Sequence, residues 1–383
     1  MTMRKRKSIS IFRSISPLVW LLSAFSCSTV QAMQALADRD LAEVTGQALF
    51  VSDRIAPTGA AGSVTDFTFH RMGLDVELAM NANIDKLQLG CGGFNESIAS
   101  NACDIDFDFV RFMGRNGTSG GAPVTSDFKL TRPYIELAIR NENSLTQREV
   151  AGIKIGAQSA DGFIGIGRKY ANGVVNQENG GTCGTAAGDS ALNCHSGINR
   201  ISGFLGVELS ATVPIAITLI GEALTCFGNT TTNTADPCGP GETFTDEITG
   251  TRLNEIFIPA IPLEIRENFL VEALSGGDGF ATVQQNLRFI HGFALEDSKD
   301  FSLSFQRERI AFPNFDKTGF AAVANVGWWM NVPDVKVMNI QAPTIELGIL
   351  EALDALSAPG PTLTNNELGQ APPSNCFGGL QFC

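Results

Sequence analysis

Eight cysteines downstream of residue 32 fall into four close pairs, Cys91 and Cys103, Cys183 and Cys194, Cys226 and Cys238, Cys376 and Cys383. Wide cysteine-free stretches separate the pairs, so bridging between nearest neighbours is the simplest of the many connectivities open to eight thiols. Each bridge would close a short Gly-, Asn- and Ser-rich loop and contribute about 3 kcal/mol in the chain-entropy picture. There is no CxxC, and His195 is the only histidine beside a cysteine. Zinc ligation therefore lacks its usual spacing.

Stable disulfides imply an oxidising compartment, and the first 32 residues supply a route to one. Arg4, Lys5, Arg6, Lys7 and Arg13 precede a short apolar run from Ile15 to Phe25, and Val30-Gln31-Ala32 offers small residues for cleavage. This is the pattern of a secretory signal peptide, too short to span a membrane. Lipidation at Cys27 is the rival, disfavoured by Phe25 where a small residue is wanted. Removing residues 1–32 takes away five of 27 basic residues and none of the 40 acidic ones, leaving 22 against 40 and a net charge of −18. Such a chain repels phosphate backbones, so nucleic acid is excluded as a partner.

The remaining stretches alternate with period two. Leu74, Val76, Leu78, Met80, Ala82 and Ile84 alternate with mostly polar residues, and Ile105, Phe107 and Phe109 alternate with Asp104, Asp106 and Asp108. These two runs flank the first cysteine loop and predict a hairpin with its bridge at the tip. Further strands are expected around 128–130, 134–139, 150–157, 163–167, 201–220, 256–265, 287–295, 301–305, 310–315 and 320–332. Pro214 marks an edge or a bulge. Short helices are expected over 33–47 and 345–356, with another after Asn268. The expected fold is mainly β, a large antiparallel twisted sheet or sandwich with short helices near both ends and disulfide-stapled loops. Its expected organisation is a signal peptide (1–32), an N-terminal lobe (33–227), a Thr/Asn/Gly/Pro-rich linker (228–245), a C-terminal lobe (246–361) and a stapled tail (362–383).

Ala35, Leu36, Asp38, Leu41, Val44, Gly46 and Gln47 form an A-L-x-D-x-x-L-x-x-V-x-G-Q start for the mature chain. That start resembles those of exported proteobacterial β-rich proteins, some described as filament- or pilus-assembly-like and some of unknown function. The resemblance covers about fifteen residues and brings no catalytic residue with it. It implies a Gram-negative source and a surface or assembly role.

Asp104, Asp106 and Asp108 are the candidate metal site, because three carboxylates on one strand face could gather calcium. The opposing reading is a solvated face, since the EF-hand order of ligands and glycine is missing. The run from Gly162 to Gly167 does not match a dinucleotide-binding glycine pattern and reads instead as a strand on which another backbone or ring closes in. His195 is expected in an exposed loop. Of the adjacent Trp328 and Trp329, opposite facing leaves one ring outward. Twenty-six phenylalanines fill a core or line an apolar groove. No G-x-S-x-G or other catalytic motif is present. These features point to a non-enzymatic secreted or cell-surface structural or adhesion protein, of periplasm, outer-membrane surface or medium, associating with other copies of itself or with surface-assembly proteins. The alternative is an envelope protein binding a lipid or other hydrophobic ligand. An outer-membrane barrel is disfavoured by scarce Tyr and Trp.

Overall fold

A computed structural model describes residues 49–56, 66–115, 126–184, 189–209, 212–217, 221–227, 244–266, 278–337, 340, 344–364 and 372–375. The leader, the 33–47 segment, Cys27 and the expected helix after Asn268 lie outside these residues, as do Cys238, Cys376 and Cys383 and hence the third and fourth expected bridges.

Among the described residues twenty strands carry the fold. They are β1 (Phe50–Ile55), β2 (Phe67–Leu74), β3 (Glu77–Met80), β4 (Ala82–Leu89), β5 (Ile105–Met113), β6 (Phe128–Arg140), β7 (Glu149–Gly165), β8 (Arg168–Lys169), β9 (His195–Ser196), β10 (Ile198–Leu209), β11 (Thr212–Ile217), β12 (Gly221–Phe227), β13 (Phe244–Leu253), β14 (Glu255–Arg266), β15 (Asp278–Asn286), β16 (Gly292–Lys299), β17 (Ser302–Gln306), β18 (Gly327–Val337), β19 (Ile345–Leu347) and β20 (Thr362–Thr364). Twelve of them form one sheet, six a second, and β8 and β9 a ribbon. The chain is mainly β, as its alternation requires, but the sheets are mixed. β10 runs parallel to β18, β11 to β19 and β15 to β20.

The large sheet closes partly on itself. β5 pairs with β7, β7 with β16, β16 with β18, β18 with β10, and β10 again with β5. The 17-residue β7 makes this geometry, since its C-terminal end joins the ring while β6 pairs with it from Glu149 to Asp161 and β17 pairs with its N-terminal half. That half extends outward as a wall, through β6 and β2 to the edge strand β1. The expected linker at 228–245 does not divide two lobes. β13, β16, β17 and β18, beyond it, pair with β10 and β7, before it, because the ladders join strands far apart in sequence.

The first expected hairpin is present in part: of the 74–84 run only Ala82 and Ile84 lie on β4, while Leu74 ends β2 and Leu78 and Met80 lie on β3, which pairs with β6. β4 and β5 are antiparallel with Leu89 opposite Ile105, and Cys91–Cys103 bridges their tip. Cys183–Cys194 is also bridged. The apolar 201–220 stretch is divided between the two sheets, and the β19 ladder on β11 starts at Ile215, just after Pro214, whose nitrogen has no hydrogen to give. The expected helix 345–356 is shorter. Ile345 and Leu347 are buried on β19, and a helix runs only from Ile349 to Asp354, its N-terminus held by the Glu351 carboxylate on the Gly348 nitrogen (2.7 Å).

Among the described residues two larger apolar cores result, beside a small cluster of Met113, Phe163 and Ala294. The larger packs Ile105, Phe107, Phe128, Leu205 and Val332 with residues of the second sheet such as Ile215 and Ile258. The smaller lies beneath the 307–326 segment and includes Phe67, Phe69, Phe312 and Trp329. Residues 310–315, expected as a strand, instead cross that core, with isolated bridges from Ile310 to Ala324 and Pro313 to Phe320. The glycine run behaves as expected. A Cβ at Gly162 would lie 2.4 Å from the Phe128 ring, and Gly162 itself takes φ +155°.

Candidate functional site: a sheet wall with its polarity reversed

The wall formed by β1, β2, β6, β7, β17 and β18 has two unlike faces. Register places Met72, Ile135, Ile155, Leu303 and Met330 opposite one another in one row across five strands. A second row holds His70, Leu137, Ile153, Phe305 and Trp328. Directly opposed residues point to the same side of a sheet, so both rows stand on one face. That face is open: Phe50 is 67% exposed, Ile155 55% and Met72 53%, with Ile135, Val150, Ile153 and Phe305 between 41% and 45%. A groove of about 300 Å³ runs along it between Phe50, Met72, Leu74, Pro133, Ile135 and Ile155. At its inner end the face meets the larger core, where Trp328 is half-buried against Phe305, ring centroids 5.3 Å apart. Trp329, on the other side, is 2% exposed, so the adjacent tryptophans do face opposite ways.

The opposite face is sealed and mixed: beside Phe67, Phe69 and Trp329 of the smaller core it carries buried polar side chains. Arg71, Glu136, Lys154, Ser302, Ser304, Gln306 and Asn331 are all buried there. Arg71 Nε donates to Glu136 Oε2 at 2.7 Å, and the guanidinium also donates to the carbonyls of Phe315 (2.7 Å), Asn314 (3.1 Å) and Pro313 (3.3 Å). Lys154 Nζ donates to the Pro313 carbonyl at 3.1 Å and stands 3.8 Å from Glu136 Oε1. The Arg71 guanidinium lies over the Tyr134 and Phe315 rings, and Lys154 between those of Tyr134 and Phe312. The buried charges thus clasp residues 313–315 onto the sheet. Burial favours the neutral form of each group. It pushes the Glu136 carboxyl up despite Lys154 and Arg71, the Tyr134 hydroxyl up, and Lys154 down to about 8. This pocket is closed to substrate, and its role is to hold the covering segment.

Of the three candidate metal ligands, Asp104 has partners of its own, while Asp106 and Asp108 are held together on shared ones. Asp104 Oδ1 accepts from Arg252 Nε and Asn95 Nδ2, both at 2.9 Å, and its Oδ2 accepts from the Trp328 nitrogen at 2.9 Å. Arg252 continues to the carbonyls of Ala99, Gly90 and Gly92, clamping the first cysteine loop. Asp106 and Asp108 share Lys86, at 2.9 and 2.5 Å, and both accept from Asn199. Burial pushes the Asp106 carboxyl up, but the bonds from Lys86, Gln88 and Asn199 outweigh it and hold it below the usual range. Asp104 and Asp108 are buried, so the solvated face and the calcium site both give way to cations and amides of the protein itself. Among the described residues no group of three or more His, Cys, Asp or Glu is placed to hold a metal ion.

His195 is not an exposed loop residue. It is 1% exposed on β9, its Nδ1 2.8 Å from His291 Nε2, with the Phe289 ring edge-on at 4.8 Å. His291 Nδ1 lies 2.9 Å from the Ile166 carbonyl, which can only accept, so Nδ1 carries the proton. Burial holds His291 down to about 4, and its Nε2 therefore accepts from His195 Nδ1. The stacked pair pins the short β8–β9 ribbon to the 287–291 turn.

Period two reveals which residues share a face, and Glu136 and Lys154 alternating with Ile135 and Ile155 was the available signal for the wall. It does not reveal which face is covered.

No family model matches the chain, no curated protein matches it in sequence, and no solved structure matches its fold.

Proposed function

We propose that this is a non-enzymatic exported protein of the Gram-negative cell envelope or surface, structural or adhesive, that works by associating through the open apolar face of its β1–β2–β6–β7–β17 wall and so contributes to a filament-like assembly. The observation that carries this reading is the open apolar face of the wall, whose covered face holds buried polar side chains beside the smaller core. A soluble sheet with one wet face turns its polar side chains outward. Here seven polar side chains are buried and seven large apolar ones stand open. Apolar patches of this size on soluble proteins mark contact surfaces. The two disulfides fit an oxidising, exported setting.

A second reading, binding of a lipid or other hydrophobic ligand, is favoured by the 300 Å³ groove. A spanning barrel is disfavoured, because from Val150 to Ile155 the open apolar stretch of β7 rises about 17 Å, short of the roughly 25 Å apolar band of such barrels. Fractionating cells into periplasm, outer membrane and medium, followed by native mass spectrometry of the purified protein, tests the proposal. Exported multimers without bound lipid support it. A cytosolic monomer contradicts it, and a monomer carrying lipid transfers support to the second reading.

A further inference from the structure

The proposed role leaves open what covers the apolar face, and we propose that it is the same face of a second copy, packed sheet on sheet about a two-fold axis with the Ile135–Ile155 row at its centre. The inference rests on the associative reading above and names its partner.

Area is the first support. Phe50, Met72, Ile135, Val150, Ile153, Ile155 and Phe305, each 41–67% exposed, present roughly 600 Å² of apolar surface on the scale of such side chains. A standard interface buries about 800 Å² per partner, a little over half of it apolar. One face of this chain therefore supplies the apolar share of an interface of that size. The groove within it, about 300 Å³, would lodge only one end of a lipid chain and leave Ile153, Val150 and Phe305 bare.

Charge is the second support. The chain carries −13 overall, yet four ion pairs at the strand ends bordering this face balance charge for charge. Asp75 pairs with Arg132 (2.5 Å), Glu77 with Lys129 (2.9 Å), Glu149 with Arg307 (2.8 Å) and Glu142 with Arg54. A two-fold contact brings such a rim against a copy of itself, where alternating signs can match and no excess of one sign opposes approach. An anionic lipid surface needs an excess of Lys and Arg around its apolar contact, and in these four pairs each Lys or Arg is matched by a carboxylate.

Packing the two walls about 10 Å apart would interdigitate Ile135 and Ile155 with their symmetry mates, as in sheet-on-sheet cores. The sealed opposite face, with its covering segment, stays outside the contact.

Sedimentation velocity from about 1 to 200 µM tests the proposal, with wild type, Ile155→Asp and Met72→Glu on the face, and Leu350→Asp, 81% exposed on the short helix, as the off-face control. Near-UV circular dichroism and melting verify folding, and two independent face variants guard against one that misfolds. The expected result is a concentration-dependent dimer in wild type and Leu350→Asp, with association weakened at least about thirtyfold in both face variants, as for central interface residues. Dimers unaffected by the face variants overturn this inference while leaving the associative function standing. A wild-type monomer at 200 µM overturns both.

Discussion

Replacing Glu136 by Gln keeps the shape of the side chain and removes the carboxylate that Arg71 and Lys154 share. Arg71 (2% exposed) and Lys154 (1%) would then face each other's positive charge across a neutral amide. Removing one partner of a buried ion pair typically costs 3–5 kcal/mol, because the desolvated charge left behind has no compensation. The Pro313, Asn314 and Phe315 carbonyls still accept from both cations, which places the expectation toward the lower end, about 3 kcal/mol. Lys154→Met should cost less, since Arg71 still neutralises Glu136 through Oε2. Urea titration followed by circular dichroism at neutral pH measures both. Hydrogen exchange at the Ala321 and Ala324 amides, bonded to Phe312 and Ile310, adds a local readout of the covering segment. A Glu136→Gln protein within about 0.5 kcal/mol of wild type, with no faster exchange there, would refute the clasp.

Two further outcomes follow from the buried polar groups. His291 is held near 4, below the ordinary value of about 6.5, so between these values the unfolded chain binds a proton that the folded chain refuses. Its contribution is complete above about pH 6.5 and is lost as pH falls toward 4, at most about 3 kcal/mol. Urea stability at pH 7.5 and 4.5 should fall more steeply in wild type than in His291→Gln, and equal falls would contradict the neutral pair. Arg252→Met strands the buried Asp104 and frees the carbonyls of Gly90, Gly92 and Ala99. It should cost about 3 kcal/mol by chemical denaturation and speed reduction of Cys91–Cys103 by dithiothreitol, whereas unchanged reduction kinetics would remove Arg252 as the clamp of that loop.

Local patterns were legible in the chain, and remote partners were not. Alternation on both sides of Cys91 and Cys103 was enough for the β4–β5 hairpin and its bridge, because the ladder joins neighbouring stretches of chain, from Leu89 opposite Ile105 out to Ala82 opposite Phe112. Gly162 could be read as a site of close approach, though not that Phe128 would make it. His195 sits among Gly, Asn and Ser and reads as exposed, yet His291, 96 positions later, buries it. Asp108 looked solvated because Lys86 and Asn199 arrive from β4 and β10. The Thr/Asn/Gly/Pro-rich stretch at 228–245 suggested a lobe boundary, but composition does not reveal that strands on either side of it share ladders. Residues 310–315 carried strand-like alternation, and their apolar side chains serve instead to cover the polar face of the wall. The wall's open apolar face was the largest omission. Alternation sets Ile135 apart from Glu136 and Ile155 from Lys154, but the register that aligns the two strands and the placement of residues 307–326 decide which face is sealed.

Hydroxyl-radical footprinting across a dilution series reads the open face most directly, with Met72 as the reporter and the fully buried Met113 as the internal reference. The expected result is rapid oxidation of Met72 in dilute protein and strong protection as concentration rises, with Met113 slow throughout. Met72 as slow as Met113 at high dilution would mean that the face is not open, and Met72 equally fast at every concentration would mean that no second copy covers it.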